Sequence, residues 1–239
     1  MAGENDGTIL RVNTSGIVDA AGSAQGDITT AGGLVGTNRG TIQRSSSSAA
    51  VTTGGNLGGL VGENDGVVSQ SFASGQVTGG VYGVLGGISF GSPGGLVGTN
   101  SGTITQSYAT ASVFNGCGAF ACTSGAALVY SNQGTISQSF ASGAVTSAES
   151  GTGNGAYGIA VQNAGTIAND VYWNSNTTGT TVGVGYGTPI PAANGLTTAQ
   201  MGNAASFVGW NFGPGGDWVM PAGATHPVLA WQLNPVGSR

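Results

Sequence analysis

Gly94-Gly95-Leu96-Val97-Gly98-Thr99-Asn100-Ser101-Gly102-Thr103-Ile104-Thr105-Gln106-Ser107-Tyr108-Ala109 is the stretch that decides the fold. Its words return at Gly32-Gly33-Leu34-Val35-Gly36-Thr37-Asn38-Arg39-Gly40 and Gly58-Gly59-Leu60-Val61-Gly62-Glu63-Asn64-Asp65-Gly66, and in looser form from Ala126 and from Gly158. The glycine after the asparagine falls at 7, 40, 66, 102, 134 and 165, so the spacings are 33, 26, 36, 32 and 31 residues. A period of that size marks stacked supersecondary units, because one unit cannot bury its apolar side until the next lies against it.

Each unit reads as short strands separated by turns. The pairs Leu34-Val35, Leu60-Val61, Leu96-Val97 and Leu128-Val129 have the length and apolar character of a short strand. The x-Asn-x-Gly that follows is turn chemistry: asparagine tolerates left-handed backbone and glycine carries positive φ without steric cost. A second strand begins at Ile42, Val68, Ile104 or Ile136. Beyond it the pattern alternates, with Ser71, Ala73, Gly75 and Val77 on one side in one repeat and Ser107, Ala109, Ala111 and Val113 in the next. Small side chains suit a narrow interior, which turns Phe72, Tyr108 and Phe140 outward. With no helical spacing of any length, the expected fold is all-β, a parallel β-solenoid of about six coils. At about 4.8 Å per coil the rod is roughly 30 Å long. Asn5, Asn38, Asn64, Asn100, Asn132 and Asn163 then stack as a ladder of side-chain amides, each link worth about 1 kcal/mol. Independent solvated turns are the alternative.

The repeats stop after Gly165-Thr166-Ile167, and the rest of the chain holds all four tryptophans, at 173, 210, 218 and 231. A solenoid end is a bare strand edge that needs an atypical module over it. We therefore expect a solenoid over 1–175 and, over 176–239, a linker and aromatic-rich cap packed on the last coil. In that cap Gly195 to Met201 supplies a helical turn. An aromatic ligand pocket is the rival reading of the same residues.

Composition narrows function more than it names it. Charged residues are 5%, lysine is absent, and Arg11, Arg39, Arg44 and Arg239 face nine acids for a net charge of −5. So few cations give no phosphate-neutralising footprint, so nucleic acid is not an expected partner. No apolar run reaches the ~18 residues of a membrane helix, so membrane insertion is not expected either. A surface of Ser, Thr, Asn, Gln and Gly suits work outside a cell. Met1-Ala2 leads straight into a repeat, as in a segment excised from a longer protein with any secretion signal upstream. Cys117 and Cys122 enclose four residues; they form either a local disulfide, implying an oxidising compartment, or two free thiols.

Catalytic patterns are mostly missing, and no cofactor, metal centre or enzymatic activity is expected. His226, the single histidine, has no Gly-x-Ser-x-Gly elbow before it and reads as a packing residue. Glu4-Asn5-Asp6-Gly7 and Glu63-Asn64-Asp65-Gly66 could offer oxygens to Ca²⁺, but the other turns carry Thr-Asn-Arg, Thr-Asn-Ser and Ser-Asn-Gln, so solvated turns are the expectation. Candidate binding elements are the stacked aromatics Phe72, Tyr108 and Phe140 and the variable segments 78–93, 114–125 and 146–157. An exposed aromatic ladder would stack sugar faces. Alternatively those loops, with Tyr82, Phe90, Phe114 and Phe120, fold over it. Thr41, Thr103, Thr135 and Thr166 would form a flat face for ice, but paired Thr-x-Thr rows are missing.

The Gly-Gly-Leu-Val-Gly words at 32–36, 58–62 and 94–98, each followed by x-Asn-x-Gly, resemble the GLUG motif of large secreted bacterial surface proteins. Asp170-Val171-Tyr172-Trp173, Gly195 to Met201, Phe207 to Phe212 and His226 to Trp231 resemble the segment that follows such repeats in filamentous haemagglutinin-like exoproteins of two-partner secretion. The resemblance covers nearly the whole chain. It implies a right-handed parallel β-helix and a non-catalytic stalk or adhesin at the bacterial cell surface, with a host or bacterial glycan or protein as possible partner. Similar repeats accompany immunoglobulin A peptidases outside their catalytic part, so an accessory domain of a secreted enzyme is the alternative.

Overall fold

The computed structural model describes residues 2–20, 29–84, 87–117, 122–147 and 155–233. The chain winds into coils of five short strands, as in Asn56–Gly58, Val61–Asn64, Val67–Ser69, Phe72–Ala73 and Gln76–Gly79. Equivalent strands of successive coils pair in parallel, giving five sheets of five to seven strands, which we number faces I to V in that order. Register is one residue to one residue: Val35 pairs with Val61 and Val61 with Val97, while Asn38, Asn64 and Asn100 follow suit. The 26 residues from Asn38 to Asn64 make the coil without a long insertion. The longer spacings come from residues added at the corner between faces V and I, including the antiparallel hairpin Val81–Val84 with Gly87–Phe90.

The bore is filled by columns of like side chains. Leu60, Leu96 and Leu128, then Val61, Val97 and Val129, then Ile42, Val68, Ile104 and Ile136 are each fully buried. Ala73 and Ala109, with Val77 and Val113, face the same core, as the alternation predicts. Two polar ladders run through the wall. Each asparagine Nδ2 donates to the Oδ1 of the next, from Asn5 to Asn163, in five bonds of 2.7–2.8 Å. At the last rung Gly187 stands in the asparagine position, and Asn163 Nδ2 donates to the Thr188 carbonyl at 2.8 Å. The second ladder is of serines: Ser71 Oγ accepts from Ser45 N, Ser107 Oγ from Ser71 N and Ser139 Oγ from Ser107 N, while each hydroxyl donates to the carbonyl two residues before it.

The turn glycines serve a different need from the one expected. None of Gly7, Gly40, Gly66, Gly102, Gly134 and Gly165 has positive φ. They are needed for close approach, because a Cβ on Gly102 would sit 2.0 Å from the carbonyl oxygen of Gly66, and one on Gly66 equally close to that of Gly40. The left-handed backbone lies instead at the corner between faces III and IV, at Arg11, Arg44, Gln70, Gln106 and Gln138, with φ of 42–56°. Holding such residues there costs of order 1–3 kcal/mol each and persists only where the surroundings fix it.

Two expectations about the end of the rod are corrected. The solenoid does not stop at 175: Val184–Gly187 and Gly195–Leu196 add seventh strands to faces II and IV. The tail after them does not lie over the last coil but turns back along face IV, and Val182 and Tyr186 of that coil are 49% and 65% exposed. The bore is closed by Trp173, which occupies the column of Ala73, Ala109 and Ala141. Gly158, Gly183 and Gly195 surround its indole, where a Cβ on any of them would come within 2.9 Å of the ring.

Gly102→Ala is expected to lower stability by about 3 kcal/mol in chemical denaturation, as a Cβ forced against backbone must separate two coils. Gly7→Ala, in the same word but with nothing within 4 Å, changes it by less than about 0.5 kcal/mol. Asn100→Ala, which strands Asn64 and Asn132, costs about 2 kcal/mol in the same assay.

Candidate functional site

Face IV carries the outward aromatics. Phe72, Tyr108 and Phe140 stack on successive coils with ring centroids 4.9 and 4.8 Å apart and planes within 3° of parallel. That spacing is the strand separation itself, so the sheet sets the stack. Tyr172 continues the column, whereas in the first two coils it holds Asn13 and Ser46.

These aromatics point away from the bore yet are covered. Phe140 is fully buried, Tyr108 is 3% exposed and Phe72 is half-buried. Among the described residues, the cover comes from 198–233. Helix α1 (Thr198–Met201), closed by a reciprocal capping box between Thr197 and Gln200, places Met201 beneath it. Phe207, Trp210 and Trp218 pack on Phe140, and Trp231, in helix α2 (Ala230–Leu233), lies 6.1 Å from Phe72. Together they form a second hydrophobic core separate from the bore. The sugar-stacking role expected for Phe72, Tyr108 and Phe140 is therefore corrected: two of the three have no face free for a ligand. Among the loop aromatics, Phe114 stands on face V in register with Thr78 and Thr146, Phe120 lies outside the described residues, and the side chains of Tyr82 and Phe90 are not described.

Polar anchors fix where the tail lies. The Asp217 carboxylate accepts from Gln70 Nε2 and Gln106 Nε2, both at 2.5 Å, one oxygen to each coil. The three glutamines with left-handed backbone thus present a row of amides, linked Gln70 to Gln106 to Gln138, onto which the tail docks. Trp231 Nε1 donates to the Gln70 carbonyl and Trp210 Nε1 to that of Asp170, each at 2.9 Å. Tyr108 and Gln232 are hydrogen-bonded side chain to side chain. Burial pushes the Tyr108 phenol up to about 12, against the lowering effect of Gln232, and burial likewise raises Tyr172.

The remaining candidates separate cleanly. Cys117 and Cys122 are joined by a disulfide, with residues 118–121 outside the described set. In the acidic turns, Arg39 follows Asn38 and so stands between Asp6 and Asp65 in the column; it pairs with Glu4 and reaches Asp6 at 3.9 Å. A cation thus already occupies the space between those acids, and no group of three metal-ligating side chains occurs among the described residues. On face III, Thr8, Thr41, Thr103, Thr135 and Thr166 share a column that Val67 interrupts. Two residues further on stand Leu10, Gln43, Ser69, Thr105 and Ser137, so a second threonine row does not form. His226 packs on Tyr108 and Phe140 with centroids at 5.8 and 5.5 Å, and also lines a cleft of about 250 Å³ between solenoid and tail. Sequence reasoning missed that cleft, because its walls come from segments far apart in the chain.

In comparisons with known proteins, no family model, curated sequence or solved structure matches the chain.

Because the folded Tyr108 phenol ionises near 12 and the unfolded one near 10, its contribution is complete below pH ~10 and is lost as pH rises to ~12, about 3 kcal/mol in all. Tryptophan fluorescence should therefore report release of the tail across that window, and Tyr108→Phe should make the change shallower.

Proposed function

We propose that this protein is a non-catalytic structural and adhesive segment of a secreted bacterial surface protein, working outside the cell as a stiff stalk that carries contacts to a glycan or protein on its flank. The observation that carries this reading is the unbroken column of side-chain amides from Asn5 to Asn163, which locks six coils in one register. A rod so held transmits position and force with little internal play, because no coil slides without breaking amide bonds on both sides of it. Arg11, Arg39, Arg44 and the few acids aside, the described wall presents mostly neutral hydrogen-bonding groups, whose contacts are insensitive to ionic strength. The resemblance of the repeats to the GLUG motif and of the tail to haemagglutinin-like exoproteins supports the same reading, as does a disulfide suited to an oxidising compartment.

The test is display of the segment on the surface of a non-adherent bacterium. Adhesion to glycan- or matrix-protein-coated surfaces should exceed that of cells bearing the carrier alone, and should change less than twofold between low and high salt. Adhesion equal to the carrier alone would defeat the adhesive part. Stepwise unfolding of single coils at low force in a single-molecule pulling experiment would defeat the stalk.

A further inference from the structure

The cleft at the seam between solenoid and tail is built from hydroxyls. Its solenoid wall is the corner after face IV, where Thr110 and Ser142 stand on successive coils and Asn174 and Thr177 on the next; its other wall is Thr225 and His226 of the tail, with Thr198 of helix α1 at the end. Among the described residues no charged side chain lines it.

The donors and acceptors are partly spoken for, and what remains is informative. Thr177 Oγ1 donates to the Ser142 carbonyl at 2.7 Å, and Asn174 and Thr198 are bonded to each other. Among the described residues Ser142 Oγ and Thr225 Oγ1 have no such partner. His226 Nδ1 lies 2.7 Å from the Pro227 carbonyl oxygen, and since a carbonyl only accepts, Nδ1 carries the hydrogen. In the neutral imidazole that leaves Nε2 as an acceptor. The ring is held by its contacts with Tyr108 and Phe140, and the carbonyl fixes its tautomer, so the acceptor is preorganised.

We propose that this cleft binds one neutral sugar ring, the terminal pyranose of a glycan. Hydroxyl groups both give and take hydrogen bonds, which matches the vicinal hydroxyls of a sugar and gives no preference to an ion of either sign. Every threonine brings a methyl beside its hydroxyl, supplying apolar surface for the C–H faces of the ring. A volume of about 250 Å³ is below the roughly 300 Å³ at which drug-sized pockets begin, so one ring fits and a folded oligosaccharide does not. The proposal rests on the adhesive reading above for its biological setting, and it places the glycan at the seam and not on the aromatic ladder.

The experiment is an NMR titration of the isotope-labelled protein with glucose, galactose, mannose and N-acetylglucosamine, with glycerol and sodium sulfate as controls, following the His226 ring protons. At least one pyranose should saturate with a dissociation constant on the order of millimolar and shift His226, while sulfate does not. Ser142→Val, which fills the cleft from the solenoid wall, and His226→Leu should each weaken that binding at least tenfold, whereas Thr52→Ala on face V leaves it unchanged. Should His226→Leu loosen the tail, Ser142→Val decides alone, since Ser142 takes no part in holding it. Absence of any saturable shift, or a Ser142→Val protein that binds as the parent does, overturns the proposal. Cell adhesion persisting without sugar binding would overturn the cleft and leave the adhesive reading standing; sugar binding without adhesion would do the reverse.

Discussion

A primary amide gives and takes a hydrogen bond along nearly the same line, and the whole stack depends on that property of asparagine. Because Asn38 donates to Asn64 while accepting from Asn5, one residue type repeated at one place satisfies its own neighbours and needs nothing else. A slip of one residue between coils would break the column and turn leucine and valine out of the bore. The glycine two positions on completes the constraint by letting one coil descend onto the carbonyl of the last. These two features, a carboxamide and a missing Cβ, fix the register in which the other columns fall, including the aromatic one.

Much of this is legible in the sequence because it is periodic. The bore follows from alternation in Ser71 to Val77, and the amide column follows from the fixed place of asparagine between two strands. The source of the turn is less legible: glycine two places after asparagine suggests positive φ, but the left-handed residues are Arg11, Arg44 and then the glutamines ahead of each Ser-aromatic pair. A signal was present, since Gln70, Gln106 and Gln138 recur at the same place, yet glutamine has no intrinsic preference for that conformation. The conformation belongs to the coil corner, since Arg11 and Arg44 share it, and what selects glutamine there is tertiary. Asp217 reaches back 147 residues to Gln70 and 111 to Gln106, a distance at which no local pattern exists.

The placement of the tail was hidden for a related reason. Four tryptophans announce a change of module, but Trp173 belongs to the bore and the others to the flank, and only the register tells them apart. Asn13 and Ser46 against Phe72, Tyr108, Phe140 and Tyr172 gives, in hindsight, the length of the covered strip: the apolar rows begin at the third coil, and Trp231 stops there. The seam cleft has still less trace in the sequence, as threonine, serine and a lone histidine from five separate segments carry no pattern until the flank is assembled.

Self-complementary repetition is also what amyloid uses, and a molecule made of identical rungs runs the risk of polymerising through its ends. At the last rung, glycine replaces asparagine and the final side-chain amide is consumed by the chain's own Thr188 carbonyl. That substitution acts as a full stop: an incoming copy finds no vacant donor in the column that orders every earlier coil, so the grammar that builds the rod is withheld from fibre growth at that pole.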